Sequence, residues 1–87
     1  MANLRTVIRS ERFERELSAI EPNVKRADEF LEGAETILSR EPELGHRLGN
    51  SQVYFIAGWT VDLSLYYTFS HDEVILLSIC KMTPPAP

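Results

Sequence analysis

Cysteine is almost missing from this chain: Cys80 stands alone among 87 residues, which excludes an internal disulfide framework and a thiolate metal cluster and fits a reducing compartment. Long apolar runs are missing too. No stretch approaches the roughly 20 residues that a membrane-spanning helix needs, and Met1-Ala2-Asn3-Leu4-Arg5 has no apolar run after its first charge. A cytoplasmic protein without a membrane partner is expected. Basic residues are scarce in the second half. Arg5, Arg9, Arg12, Arg15, Lys25, Arg26, Arg40 and Arg47 are eight of the nine, leaving only Lys81 downstream. With a formal net charge of −4 and a pI near 5.1, the chain is a poor partner for a phosphate backbone, and direct nucleic-acid binding is not expected. No Gly-x-Ser-x-Gly turn, phosphate loop or paired-carboxylate constellation occurs. His46 and His71, the only histidines, have no Asp, Glu or Cys at metal-ligand spacing, so neither a metal nor a cofactor is expected.

What is present is patterning. Leu4 to Arg9, with β-branched Thr6, Val7 and Ile8, reads as a short strand added at a sheet edge. Ser10 is a candidate N-cap, and Glu11 and Glu14 suit the positive end of a helix carrying Phe13, Leu17 and Ile20 on one side. Glu21-Pro22 ends that helix, and proline is well tolerated at the start of the next. There Val24, Ala27, Phe30, Leu31, Ala34, Ile37 and Leu38 keep the three-and-four spacing of an amphipathic helix. The tight connection predicts an αα-hairpin, with Gly33 attributed to close packing. Its charged outer face offers i,i+4 pairs such as Glu11–Arg15 and Lys25–Glu29.

Pro42 and Gly45 stop the second helix, and Gly49-Asn50-Ser51 makes a further turn. Three strands are then expected at Gln52–Ile56, Leu63–Phe69 and Val74–Cys80, the last two as a hairpin through Ser70-His71-Asp72-Glu73. Period-two alternation places Leu65, Tyr67 and Phe69 on one face, and Ser64, Tyr66 and Thr68 on an uncharged polar face with one aromatic. The expected class is α+β, in the order β-α-α-β-β-β, as one domain over residues 1–82. Residues 83–87, Thr83-Pro84-Pro85-Ala86-Pro87, form a proline-rich tail. One core of Phe13, Leu17, Phe30, Ile37, Leu65, Tyr67, Leu77 and Ile79 is expected between hairpin and sheet.

This order resembles the RelE/ParE superfamily of toxins from type II toxin–antitoxin systems. The likeness is carried by Val7 to Leu17, by Glu41-Pro42-Glu43-Leu44-Gly45-His46-Arg47-Leu48-Gly49, by Leu65-Tyr66-Tyr67-Thr68-Phe69, and by Asp72-Glu73-Val74-Ile75-Leu76-Leu77-Ser78-Ile79. The resemblance implies a toxin that binds a macromolecular target such as the ribosome or DNA gyrase and is neutralised by an antitoxin. It implies lysines and arginines on the sheet of those members that cut mRNA. At the matching places stand Phe55, Ala57 and Ser64, and Lys81, Met82 and Thr83 follow the last strand. Without cations to hold phosphate and stabilise developing charge, ordinary ribonuclease action is not expected. Two alternatives stay open: a diverged ribonuclease using His46, Arg47, Tyr66, His71 and Lys81, and a non-toxic adaptor or homo-oligomerising domain, with a homodimer among the partners left open. Candidate partner-binding groups are Arg12, Arg15, Lys25 and Arg26, facing an acidic partner, and the Ser64, Tyr66 and Thr68 face.

Overall fold

The computed structural model describes residues 4–20, 24–57 and 63–81. The Pro22 helix start and the proline-rich tail lie outside them. Strand β1 (Thr6–Arg9) leads into helix α1 (Glu11–Ile20), then α2 (Val24–Arg40), a 3-10 turn (Pro42–Leu44), and strands β2 (His46–Arg47), β3 (Tyr54–Ala57), β4 (Leu63–Phe69) and β5 (Glu73–Lys81). The sheet order is β1-β5-β4-β3-β2, with β1 parallel to β5 at one edge and the other pairs antiparallel. The α+β class and element order match the sequence reading. The addition is β2: His46 and Arg47, read as turn residues, pair with Phe55 and Tyr54 of β3. The third strand also begins at Tyr54, two residues later than the sequence reading placed it.

Ser10 caps α1 as expected. Its hydroxyl accepts from the Phe13 N–H at 3.1 Å and reaches the Leu77 carbonyl at 3.3 Å, tying the helix start to β5. The core joins Phe13 of α1 and Ala27, Leu31 and Leu38 of α2 to Leu63, Leu65, Tyr67, Val74, Leu76 and Ile79 of the sheet. Leu17, Ile20 and Phe30 pack against it, partly buried.

Three expectations are corrected here. Ile37 is 44% exposed, because the buried stripe of α2 runs through Ala27, Leu31, Ala34 and Leu38 instead. Leu77 gives its core place to Leu76, because β5 slips against β4: Tyr67 pairs with Leu76, but Tyr66 pairs with Ser78. The extra residue resets the alternation, so Val74, Leu76 and Ile79 all face inward although 76 and 79 differ in parity. Gly33, finally, has nothing within 4 Å of where a Cβ would stand, so close packing is not its reason. Replacing it with alanine is therefore expected to raise stability by roughly 0.5–1 kcal/mol through helix propensity, checked by the denaturant midpoint. A lower midpoint would show that the position is constrained in some other way.

The free part of the β5 edge is covered by a side chain. Beyond Leu76, where β1 ends, the Glu16 carboxylate accepts from the Ser78 hydroxyl at 2.6 Å and the Ile79 N–H at 3.3 Å. Arg12 Nε stands 3.5 Å from the same carboxylate, and this is the i,i+4 pair seen within α1. The Ser78 hydrogen bond, then that from Ile79, holds the Glu16 carboxyl below the usual glutamate range despite partial burial. A group whose acidity rises on folding adds stability above its unfolded value, about 4.3, and that stability is lost as pH falls through the lower folded value. Glu16→Gln should accordingly lower stability near neutrality and flatten the acid limb of the stability–pH curve, so that variant and parent converge at low pH. An unaltered acid limb would assign that slope to other carboxylates.

Candidate functional site

The sheet has an inner face against the helices and an outer face away from them. Leu65 and Tyr67 face inward, so Tyr66 and Thr68 face outward, and cross-strand register assigns their neighbours. Tyr66 is opposite Phe55 and Phe55 opposite His46, while Thr68 is opposite Ile75 and Ile75 opposite Ile8. The rings of His46 and Phe55 stand 5.4 Å apart and those of Phe55 and Tyr66 5.9 Å, both tilted, giving an aromatic row across three strands. Ile8 is exposed and Phe55, Tyr66 and Ile75 are half-buried. A face read as polar with one aromatic is thus a mixed aromatic and aliphatic surface. Period-two reading of β4 alone could not show this, because Phe55, Ile75 and Ile8 come from other strands.

None of the described lysines or arginines shares this face. Arg9 lies on the helix side, its Nε 2.9 Å from Glu35 of α2; this hydrogen bond, opposed by burial and aided by the charge, raises the guanidinium pKa. Arg5 also lies inward, over the Phe69 ring at 5.8 Å, with its Nε donating to the Ser70 carbonyl at 2.8 Å. Arg47 pairs with Tyr54, which stacks on inward-facing Tyr67, and its guanidinium donates to the carbonyls of Ser51 at 2.7 Å and Asn50 at 3.3 Å. Lys81 is opposite Leu63 at the end of β5. Glu73, at the start of β5, is the charged group in this face's register.

The candidate catalytic residues therefore do not converge. His46 and Tyr66 share the outer face with Phe55 between them, Arg47 serves the turn after β2, and His71 lies in the β4–β5 turn. Lys81 stands at the opposite end of β5, eight residues beyond Glu73 and so about 26 Å from the turn. Of the candidate binding residues, Ser64 is only 4% exposed, because it lies in central β4 between Ala57 of β3 and Cys80 of β5, so it presents no free surface. Tyr66 and Thr68 are half-buried, with the Thr68 hydroxyl donating to the Gln52 carbonyl at 2.8 Å. Arg12 and Arg15 are exposed on α1 among Glu11, Glu14 and Glu16, and Arg26 is exposed near the start of α2. The Lys25 side chain lies outside the described residues.

The loop carrying His46 is held by a buried lock that the sequence reading missed. The Tyr67 hydroxyl donates to the Pro42 carbonyl at 2.5 Å and accepts from the Gly45 N–H at 3.0 Å. Burial raises the phenol pKa, keeping that proton in place at neutral pH. A Cβ on Gly45 would collide with this hydroxyl and stand 2.8 Å from the Phe55 carbonyl, so only glycine permits the approach. Proline, two residues and glycine are thus spaced to bracket one tyrosine, and His46 follows directly into β2.

No protein-family model and no curated protein matches this chain in sequence. Solved structures do. It is similar to a chain of the toxin–antitoxin complex RelBE2 from Mycobacterium tuberculosis, with a TM-score of 0.69 and 23% identity over 90% of this chain and 91% of that one. A chain of the chromosomal ParDE toxin–antitoxin system of P. aeruginosa gives a TM-score of 0.71 and 14% identity over 94% and 100%. The isolated E. coli RelE toxin gives 0.67 and 18% over 93% and 87%. The fold is that of the RelE/ParE toxin superfamily. Among the described residues no helix is long and apolar enough to cross a membrane.

Proposed function

We propose that this chain is the toxin-like component of a toxin–antitoxin pair, that it acts by binding a macromolecular target through the outer sheet face, and that an antitoxin restrains it. The observation that carries this reading is the aromatic row of His46, Phe55 and Tyr66 on a face to which none of the described lysines or arginines contributes. Aromatic and aliphatic groups there gain from burial against an apolar protein surface, whereas phosphoryl chemistry needs positive groups aimed at the reacting oxygens. The antitoxin part rests on the neighbouring structures, two of which are toxin–antitoxin complexes of RelBE type by their own descriptions.

Induced expression in a bacterium is expected to arrest growth, and Tyr66→Ala combined with Phe55→Ala to relieve the arrest without loss of soluble protein. Purified chain is expected to leave mRNA intact in a reconstituted translation reaction. Codon-specific cleavage there, abolished by Lys81→Ala or His71→Ala, would replace this reading with a diverged ribonuclease. No arrest at high expression would leave the fold serving as an adaptor.

A further inference from the structure

We propose that the open edge of β1 takes an extended segment of a protein partner whose lysine or arginine side chains seat between β1 and α2. This binding does not depend on the toxin-like reading above. The Thr6 N–H donates to the Asp72 carbonyl at 3.0 Å and the Ser10 N–H to the Leu76 carbonyl at 3.1 Å, so the even-numbered residues here turn their backbone groups toward β5. Arg5, Val7 and Arg9 turn theirs outward. The Ser39 carbonyl near the end of α2 takes the Arg5 N–H at 2.9 Å, which leaves the N–H and C=O groups of Val7 and Arg9 without a backbone partner among the described residues. Sheet edges are ordinarily guarded by a lysine, a proline or a bulge, and β1 has none of these. Its one charged residue, Arg9, is held to α2 by Glu35 at 2.9 Å.

Charge selects the occupant. An open groove of about 490 Å³ runs between β1 and α2, lined by Val7 and Arg9 on one side and by Asp28, Glu32 and Glu35 on the other. Spacings of four and three put these carboxylates on one face of α2. Against the three stands the single Arg9 guanidinium, and no ion pair joins Asp28 or Glu32 to another described residue. A strand laid along β1 alternates its side chains, sending every second one over Val7 and Arg9 into the groove and those between to the outer face beside exposed Ile8. The segment that fits therefore reads basic, apolar, basic. Main-chain pairing with Val7 and Arg9 supplies affinity, and the groove supplies the choice of side chain. An acidic segment would set like charges beside the three carboxylates and is rejected.

The test is titration of the isotope-labelled full chain with an end-blocked seven-residue peptide of alternating lysine and valine, followed by amide NMR. Shifts are expected first at Val7 and Arg9, whose amides should exchange more slowly with solvent once paired, and added salt should weaken binding. The counterpart peptide of alternating glutamate and valine should not bind. Asp28→Asn with Glu32→Gln is expected to raise the dissociation constant at least about threefold, whereas Glu11→Gln with Glu14→Gln, which removes the same charge from α1, should change it little. Val7→Pro deletes an outward N–H and should weaken binding as well. Circular dichroism and the denaturant midpoint verify folding, and the Asp28 and Glu32 pair decides if the proline variant unfolds. Unmoved Val7 and Arg9 amides up to low millimolar peptide overturn the proposal. So does equal binding of the glutamate peptide, or an equal loss from the α1 pair, which would reduce the effect to net charge. Phe55→Ala with Tyr66→Ala should leave the peptide bound, so that failure of the outer face as a target surface and failure of this edge are told apart.

Discussion

Truncating Leu76 to alanine is expected to cost about 2–5 kcal/mol, whereas the same change at adjacent Leu77 should cost less than about 1.5 kcal/mol. Leu76 is fully buried opposite Tyr67 and packed with Phe13 and Leu31, so deletion leaves a cavity that the helices cannot fill without moving. Leu77 is half-buried at the slip in register, and its chief structural contribution is a carbonyl that accepts from Ser10, which alanine retains. In a domain whose whole stability is on the order of 5–10 kcal/mol, Leu76→Ala should lower the thermal midpoint by roughly 8 °C or more on a scale of about 4–8 °C per kcal/mol. Equal losses at the two positions, or a larger one at Leu77, would place the bulge elsewhere and return Leu77 to the core.

The second large effect is expected at the lock on the His46 loop. Gly45→Ala forces a methyl group against the Tyr67 hydroxyl and the Phe55 carbonyl, and one of those contacts is backbone, which cannot rotate away. The chain must shift at the 3-10 turn or at β3, and a loss of roughly 2–4 kcal/mol is expected, within the range seen when a buried network is broken. Tyr67→Phe keeps the ring but leaves the Pro42 carbonyl and Gly45 N–H without their partner, for about 1–3 kcal/mol. Because both variants disturb one network, their double mutant should lose less than the sum of the single losses. Strict additivity in denaturant titrations would mean that Gly45 and Tyr67 act independently.

What the sequence alone determined is local. The Phe13, Leu17 and Ile20 stripe, the Ser10 cap, the long amphipathic α2 and the alternation of Leu65, Tyr67 and Phe69 each follow from neighbours within one turn or one strand, and each stands in the structure. The Pro42, Gly45 and Tyr67 likeness was legible as a pattern, but not as a hydrogen-bonded lock, because its parts lie 22 and 25 residues apart. Tertiary structure decided whatever depends on register between strands. It inserted the residue that exchanged Leu77 for Leu76 and paired His46 and Arg47 into a strand. It also gathered Ile8, His46, Phe55, Tyr66 and Ile75 from all five strands onto one face. Alternation within a strand says that two faces exist, but pairing geometry says which residues share them. A one-residue slip moves every side chain beyond it to the other side, so the candidate site became readable only with the sheet assembled.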